Sequence, residues 1–365
     1  MRICFVTQNI APFRMQWLDE LSKSAQITVY HLAEYDKTVN TKYISYIPKN
    51  IIVKENYRIL FKKKHFNIRS IINEKPDIYI LDGYGFWGQI ELITILRIKK
   101  IPFIMSIDGG IIPNRENVIK RIIKQFCIHS PKAFFSTSDI TDSFIKHYRK
   151  TNLILYRHYF SSLHDSDIRK ISIEKKNEIK NRLGLSNKFL VLTVGRFIPI
   201  KGFDILLKAM RKTDPNVCML FIGGKPTPEY DRMVEKLNPD AVKFIDFLNK
   251  EELVDYYLAA DLFVTASRGD VWGLVIGEAM AVGLPVISSN HCIAGLSMIK
   301  DYKNGFIVQD DSYKTYAKYI ELLRNNIELR EKMSENNVIL IKKYTIEESV
   351  KNDWINLKDF YRRFH

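Results

Sequence analysis

The sequence predicts an α/β protein with two Rossmann-like domains in series, each a doubly wound parallel sheet, facing a cleft. The first observation is the repeated alternation of short apolar runs of strand character with 3.6-period helical segments. This is the β-α-β rhythm of a parallel sheet covered by helices. The second is the length of 365 residues, which exceeds one ordinary hydrophobic core and fits two domains.

The first half predicts one such sheet. Its apolar runs are rich in β-branched and aromatic residues, as is typical of strands, and helical segments separate them. The predicted strands are Ile3–Thr7, Ile27–His31, Ile78–Leu81, Phe103–Ile107, Ala133–Ser136 and Leu153–Arg157. The predicted helices are Met15–Ser24, Trp87–Ile98 and Ile140–His147.

A second alternation follows the polar residues 162–187, which carry no strand signal and mark a domain boundary. The predicted strands are Phe189–Val194, Val217–Ile222, Val242–Ile245, Leu262–Thr265, Pro285–Ser288 and Gly305–Val308. The predicted helices are Phe203–Met210, Tyr230–Leu237, Glu251–Ala259, one that starts near Gly273, and Ile346–Phe364.

The last helix is expected to return to the first domain. Trp354, Phe360 and Tyr361 are spaced for one apolar face, which has to be buried against another element. The predicted domains are therefore 1–170 together with 345–365, and 171–344.

The net charge of +15 is unevenly distributed. Residues 1–180 hold 30 Lys and Arg against 17 Asp and Glu, whereas residues 181–365 hold 26 against 24. A basic domain suits an anionic partner: phospholipid, nucleic acid or a polyphosphate substrate. A coding bias that favours Lys is the alternative explanation.

The composition and the terminal segment favour a cytoplasmic protein. Hydrophobic residues make up 46% and charged residues 27% of the chain, as is ordinary for a globular protein. The first residues lack the apolar core of a signal peptide, and no run approaches about 18 uninterrupted apolar residues. The four cysteines are widely spaced and show no metal-ligand pattern, so we expect reduced core thiols.

Two stretches interleave cations with large apolar residues, at 58–69 and 120–126. Segments of this kind lie on anionic lipid surfaces. Peripheral association with the inner face of the membrane is therefore a hypothesis. The alternative is two ordinary amphipathic helices that pack on the sheet.

The loop Gly195–Gly202 joins a predicted strand to a predicted helix. In open α/β sheets, ligands bind at the carboxyl ends of the strands. The terminal glycines permit close approach of the backbone, and Arg196 and Lys201 supply two cations that suit a diphosphate. A solvated basic loop is the alternative.

A second motif runs from Asp270 into a predicted helix that contains Glu278. These acidic residues are about 12 Å apart along a helix axis, a spacing that can bracket a nucleotide-sugar. The first-turn amides of Gly273, Leu274 and Val275 lack intrahelical acceptors and can bind a phosphate or a sugar hydroxyl. Glu278 lies on an otherwise apolar helix, where ribose hydroxyls would satisfy it. An ordinary N-cap and a solvent-facing Glu are the alternative.

In this order, the Gly-Arg-x4-Lys-Gly loop and the acidic-x7-Glu helix resemble the retaining glycosyltransferases of family 4, group 1 enzymes with a GT-B fold. The resemblance covers residues 189–308 and includes Phe221–Gly224, Val242–Phe247, Tyr256–Asp261 and Leu284–Ile287. It implies transfer of a hexose-type sugar from a UDP- or GDP-sugar to a glycan or lipid-linked acceptor in cell-surface polysaccharide assembly. It also implies that no cofactor and no metal are needed.

The resemblance assigns roles to matching residues. Arg196 and Lys201 would bind the donor diphosphate and stabilise the charge of the leaving group, Glu278 would bind the ribose, and Asp270 would contact the transferred sugar. The other implied donor-binding residues are Gly195, Gly273, Leu274 and Val275, with Asp246, Phe247 and Leu248 lining the base pocket.

The sequence departs from the family pattern in three places. Asp270 replaces the usual Glu and is one methylene shorter. Residues 9–14, which contain a variant of the family's Pro-Tyr-Arg opening, replace the usual Gly-rich first loop, and Asp108 stands where some members have a His. Asn9, Arg14 and Asp108 are therefore acceptor-side candidates, with an Asp-Gly turn as the alternative for Asp108. Residues 165–167 mimic a metal-binding Asp-x-Asp but lie in the predicted linker.

Other functions stay open, because fold alone does not fix a reaction. An epimerase would release an altered nucleotide-sugar without an acceptor, and a phosphorylase would normally need a Lys-bound cofactor. A nucleic-acid-binding protein would account for the basic half, but no recognition motif is visible, and we expect no nucleic-acid partner. A protein that binds a nucleotide-sugar or a membrane without turnover is the remaining alternative.

Overall fold

The computed structural model describes residues 1–31, 46, 48–60, 63–113, 115–235, 237–309 and 311–365. The chain divides into two compact units, the first Met1–Ser162 with Thr345–His365 and the second Leu163–Tyr344. This division precedes residue 170, where composition places the boundary. The reason is that the polar segment after Ser162 is held by the second unit, with the Arg169 amide donating to the Ala281 carbonyl.

Strands and helices alternate through both units. In chain order, the strands are β1 Arg2–Thr7, β2 Gln26–His31, β3 Ile52–Glu55, β4 Arg58–Leu60, β5 Lys63–His65, β6 Ile78–Asp82, β7 Phe103–Ile107, β8 Ala133–Ser136, β9 Leu155–Arg157, β10 Phe189–Val194, β11 Val217–Ile222, β12 Val242–Ile245, β13 Leu262–Thr265, β14 Val286–Ser289 and β15 Gly305–Val308. The α-helices are α1 Pro12–Leu21, α2 Ile68–Asn73, α3 Trp87–Ile98, α4 Val118–His129, α5 Asp139–Tyr148, α6 Ile173–Arg182, α7 Phe203–Met210, α8 Pro228–Val234, α9 Lys250–Ala259, α10 Leu274–Ala281, α11 Ile293–Met298, α12 Tyr313–Asn325, α13 Ile327–Ile341 and α14 Ile346–Phe364.

The basic stretch 58–69 is not the amphipathic helix that the sequence left open. β4 and β5 pair antiparallel, with Arg58 opposite His65, and α2 begins only at Ile68. Residues 61 and 62 lie outside the described residues. Three-residue strands are too short for a period of two to stand out from a helical period, so this hairpin has no periodic signal in the sequence.

Both main sheets share one strand order. Over the described residues, the first unit has seven parallel strands in the order β3-β2-β1-β6-β7-β8-β9, and the second has six in the order β12-β11-β10-β13-β14-β15. In the first sheet β1 lies between β2 and β6, and in the second β10 lies between β11 and β13. At this point the order of the strands changes direction across the sheet. Doubly wound sheets bind ligands at the carboxyl ends of the strands at this switch point.

The C-terminal helix α14 belongs to the first unit. Ile346, Leu357 and Phe360 are buried in the core that also contains α1, each contributing about 1.5–3 kcal/mol. The Trp17 indole and the His158 ring bond to the fully buried Asp353 carboxylate at 2.9 and 2.8 Å.

Tyr361, predicted on the apolar face of this helix, is 39% exposed. The buried stripe follows positions spaced three or four residues apart, and Phe360 already fills that stripe.

The four cysteines are free and buried. Burial raises the pKa of Cys127 to about 11 and, together with the charge of Asp270, raises the pKa of Cys292 to about 12, so both stay thiols at neutral pH. Among the helices described, none is long and apolar enough to cross a membrane.

Candidate active site

The two donor motifs of the second unit follow neighbouring strands at its switch point. Loop Gly195–Gly202 leaves β10, and the segment that leads to α10 leaves β13, which pairs with β10. Gly202 has φ +66°, and a Cβ there would lie 1.9 Å from the Ala266 carbonyl oxygen. Only glycine fits this backbone conformation and this contact, so the two loops are packed directly against each other.

Hydrogen bonds join the same two loops. The Arg268 amide donates to the Ile200 carbonyl at 2.7 Å. The Arg268 guanidinium donates to both carboxylate oxygens of Asp204 at 2.8 Å, a two-pronged contact that fixes geometry well. The C-terminal part of the loop that carries Arg196 and Lys201 is therefore held against the segment that follows β13.

Lys201 and Asp270 form an ion pair in this arrangement. Lys201 Nζ lies 2.6 Å from Asp270 Oδ2, and the two side chains are 23% and 18% exposed. Arg196 lies on the exposed side of the loop. Lys201 and Arg196 are the two cations of this loop, and cations at the carboxyl end of a strand suit an anionic ligand.

The N-terminus of α10 opens at the same edge. Gly273 has φ +94°, and a Cβ there would lie 2.6 Å from Cys292 Sγ, so glycine is required for the entry into the helix. The amides of Leu274 and Val275 are first-turn donors, and the helix dipole places partial positive charge beside them. Asp270, Lys201 and these amides are thus brought together as the sequence predicted.

Glu278 lies one turn further along α10 and faces α9. The Tyr257 hydroxyl donates to Glu278 Oε2 at 2.9 Å, and both residues line a cavity of about 30 Å³. Apolar side chains of both helices complete most of its wall, namely Leu253, Val254, Ala281 and Val282. Sequence reasoning missed Tyr257, because α9 and α10 are separate segments and only packing pairs these side chains.

The predicted base-pocket residues occupy the loop between β12 and α9. Asp246 is exposed and accepts a hydrogen bond from the Phe247 amide at 2.7 Å, while Phe247 and Leu248 are half-buried. Lys250, at the end of this loop, lines the same cavity as Glu278. The cavity therefore extends from the predicted ribose residue to the start of α9, the helix that follows this loop.

Residues 165–167, the Asp-x-Asp sequence, form a short 3-10 turn. Asp167 Oδ2 accepts from Lys250 Nζ at 2.6 Å and from the His164 amide at 2.8 Å. In the parts of the chain that the structure describes, no group of three or more His, Cys, Asp or Glu is placed to hold a metal ion.

The acceptor-side candidates lie at the switch point of the first unit. Arg14 is 4% exposed, and its guanidinium lies 2.9 Å from Asp82 and 2.7 Å from Asp108. Thr7 donates to Asp82 and, as a second contact, lies 3.0 Å from the Asn9 carbonyl oxygen. Asp82 was missed, although it ends β6 as Asp108 follows β7.

The charges in this cluster shift the pKa values of their neighbours. Burial opposes the charge of Arg14, but Asp108 and Asp82 outweigh it and raise the pKa of the guanidinium. Burial raises the pKa of Asp82, which Arg14 lowers and Asp108 raises again. One cation faces two carboxylates, so Arg14 serves here as a buried counterion.

Comparison with known proteins shows what this chain is similar to. Residues 175–338 match the family described as "Glycosyl transferases group 1". Spore coat protein SA of Bacillus subtilis is 35% identical over 173 residues, covering 44% of this chain and 46% of that protein. An uncharacterized glycosyltransferase of Methanocaldococcus jannaschii, MJ1178, is 26% identical over 341 residues, covering 91% of this chain and 90% of that protein.

The chain spans about half or less of the length of the curated relatives that it matches at 30% identity or more. Among solved structures, Anabaena HepE in complex with UDP has a TM-score of 0.79 at 17% identity, covering 98% of this chain and 100% of that one. At this identity the likeness concerns the fold. Residues 175–338 are thus similar to the group 1 glycosyl transferases, and the chain has the GT-B fold.

Proposed function

We propose that this chain is a retaining glycosyltransferase that binds a UDP- or GDP-sugar at the switch point of the second unit. It transfers a hexose-type sugar to a glycan or lipid-linked acceptor in cell-surface polysaccharide assembly. The observation that carries the proposal is the meeting of Lys201, Asp270 and the α10 N-terminus on neighbouring strands. HepE, which shares the fold, has been solved with UDP and with UDP-glucose.

The donor diphosphate would be held by Arg196, Lys201 and the first-turn amides of α10. Departure of the nucleotide from the anomeric carbon leaves negative charge on the diphosphate and positive charge on the sugar ring. Fixed cations and amide dipoles aimed at the departing group stabilise that charge without reorganisation. Arg196, Lys201 and the first-turn amides of α10 would supply this stabilisation, which supports transfer without a metal ion.

The two carboxylates would bind the two ends of the donor. Glu278 accepts from the ribose hydroxyls, and Asp270 contacts the transferred sugar while it pairs with Lys201. The base would occupy the loop Asp246–Leu248, which leads into α9, the helix that lines a cavity together with Glu278.

The first test is a thermal-shift screen of the purified chain against UDP, GDP, ADP and their common sugar conjugates. At about 100 times Kd, binding stabilises the native state by ~2.7 kcal/mol, which is a shift of several degrees. We expect a base-selective shift that Arg196→Ala and Glu278→Ala both lose. The absence of a shift with every nucleotide would overturn the donor site.

Turnover is measured with the donor that binds. Hydrolysis or transfer to an added acceptor, with retention at the anomeric carbon and in the presence of EDTA, is the expected result. An altered nucleotide-sugar released without an acceptor would instead identify an epimerase. Binding without any turnover would identify a protein that only binds the nucleotide-sugar.

Peripheral association with anionic membrane is a further part of the proposal. In α4, Val118, Ile119 and Ile122 are 70%, 67% and 58% exposed, and Lys120 and Arg121 are exposed beside them. Apolar side chains that enter the interface and cations near anionic headgroups both favour lipid, at about 1 kcal/mol for each cation. This arrangement supports a lipid-linked acceptor.

The membrane test is sedimentation with vesicles of phosphatidylcholine with or without phosphatidylserine at low salt. We expect binding to the anionic vesicles, and its loss in Ile119→Ser/Ile122→Ser. The matched control replaces two exposed residues of the second unit, Ile327→Ser/Ile339→Ser, which are 62% and 66% exposed. Equal binding to neutral and anionic vesicles, or none, would contradict the proposal.

A further inference from the structure

Tyr257 carries a hydroxyl in a place where packing alone would favour phenylalanine. The residue is 4% exposed, its ring lies 6.0 Å from the Phe263 ring, and its neighbours in the cavity wall are Leu253 and Val254. A buried hydroxyl without a partner costs roughly 1–3 kcal/mol. The hydroxyl is therefore explained by its hydrogen bond rather than by the fit of the ring.

The acceptor of that hydrogen bond is Glu278 Oε2, at 2.9 Å. Glu278 lies on α10 among Ile276, Gly277, Ala279 and Met280, all buried. Burial, and after it the charge of Glu278, raise the pKa of Tyr257 far above its ordinary value. The phenol thus keeps its proton and donates to the carboxylate at every pH at which the protein would work.

We propose that Tyr257 is a positioning residue that holds Glu278 in the orientation in which its carboxylate accepts the ribose hydroxyls of the donor. This inference rests on the proposed function and deepens it.

A glutamate side chain loses up to about 2 kcal/mol of rotamer freedom when it is fixed. The Tyr257 hydrogen bond fixes it before the ligand arrives, which leaves less to be lost on binding. Because each carboxylate oxygen has two lone pairs, a carboxylate that accepts from a phenol can also accept from a pair of neighbouring hydroxyls. Removal of the Tyr257 hydroxyl should therefore weaken the recognition of ribose and leave the contacts to base and phosphate unchanged.

The experiment measures Kd by calorimetry for whichever of UDP and GDP the parent chain binds, and for the 2′-deoxy and 3′-deoxy forms of that nucleotide. In the parent, we expect removal of a ribose hydroxyl to weaken binding about tenfold, in line with a hydrogen bond to a charged group. In Tyr257→Phe, we expect the normal nucleotide to bind about tenfold more weakly and the deoxy forms to change less than twofold. The ratio between ribose and deoxyribose would thus collapse.

The matched control is Tyr316→Phe. Tyr316 is fully buried in the core of the same unit, and its hydroxyl donates to the Thr265 carbonyl at 3.3 Å. Its loss should lower thermal stability and leave the ratio of affinities as in the parent. If Tyr257 had a merely structural role, Tyr257→Phe would weaken the binding of all nucleotides equally or not at all. That result would overturn the inference and leave the proposed donor site in place. A parent chain that binds neither UDP nor GDP would overturn the proposed function, and this inference with it.

Discussion

The switch points of the two units lie in sheets of the same strand order but place their cations differently. In the first unit, the guanidinium of Arg14 is buried and faces the carboxylates of Asp82 and Asp108. In the second, Lys201 pairs with Asp270, and Arg196 lies on the exposed side of its loop. Topology supplies the same crevice in both sheets, but the first buries its Arg14 cation between carboxylates, whereas the second has a cation at the surface of its loop, where a diphosphate can reach it.

Two glycines at positive φ, one at each switch point, differ in how tightly they are packed. Gly202 of the second unit has φ +66° and would bring a Cβ within 1.9 Å of the Ala266 carbonyl oxygen. Gly83 of the first unit follows β6, has φ +74° and has nothing within 4 Å of the same position. The backbone is therefore more sterically constrained at Gly202 than at Gly83.

The largest expected effect is on stability, from the loss of the buried cation of the first unit. Arg14→Met leaves two carboxylates without their counterion, which costs about 3–5 kcal/mol. For a unit of this size, that lowers Tm by roughly 10 °C, measured by circular dichroism or calorimetry. In Arg14→Met/Asp82→Asn/Asp108→Asn the unpaired charges are gone, and much of the loss should be recovered. A single variant as stable as the parent would show that the ion cluster does not hold the first switch point together.

The next effect compares the two glycines. Gly202→Ala should destabilise the chain by about 2–3 kcal/mol more than Gly83→Ala, because both substitutions place Ala at positive φ but only the first meets backbone atoms. Thermal unfolding of the two variants measures the difference. Equal losses would mean that the loops of the second switch point can separate at little cost.

The third prediction concerns catalysis at the second switch point. Asp270→Asn removes the partner of Lys201, so the ammonium is more available to phosphate. UDP or GDP should bind to the variant as tightly as to the parent, or up to about threefold more tightly. The rate of sugar transfer should fall about tenfold to a hundredfold, because a contact to the transferred sugar is lost. Calorimetry and single-turnover rates measure the two. A weakened affinity for the free nucleotide would show that Asp270 supports the phosphate site instead.

The smallest effect is a pH dependence in the first unit. The pKa of Asp82 is raised above its ordinary 3.8, chiefly by burial, so the native chain keeps this proton at pH values where the unfolded chain has released it. The contribution of Asp82 to stability is therefore present at low pH and falls as the pH rises through its native pKa. Relative to Asp82→Asn, the parent should lose about 1 kcal/mol in this range, as measured by unfolding at stepwise pH.

A second carboxyl of the same unit provides a control of opposite sign. Burial opposes the charge of Asp19, but hydrogen bonds from the Tyr46 hydroxyl and the Asn50 amide lower its pKa. Its contribution is present above the ordinary 3.8 and is lost as the pH falls. Relative to Asp19→Asn, the parent should therefore gain stability as the pH rises. Slopes of the same sign in both variants would contradict the assignment.

The local structure of this protein, most of its strands, its longer helices and the loops after them, follows from the sequence alone. A parallel α/β fold is predicted by the apolar runs of β1, β6, β10 and β13 and by the helical periods between them. These periods depend only on residues that are near each other in the sequence. Arg196, Lys201, Asp270 and the glycines beside them stand in loops that follow predicted strands, so the candidate donor loops could be found in the same way. Short segments such as the β4–β5 hairpin could not, since three residues hold no period.

Contacts between residues that are distant in sequence depend on the tertiary structure. Arg14 pairs with Asp82 and Asp108 across 68 and 94 positions of chain, which makes a predicted acceptor-side residue a buried counterion. Tyr257 was found only because α9 packs beside α10 and directs its hydroxyl at Glu278. The strand order brings such residues together, and that order depends on long-range packing and pairing energies that no local window of sequence contains.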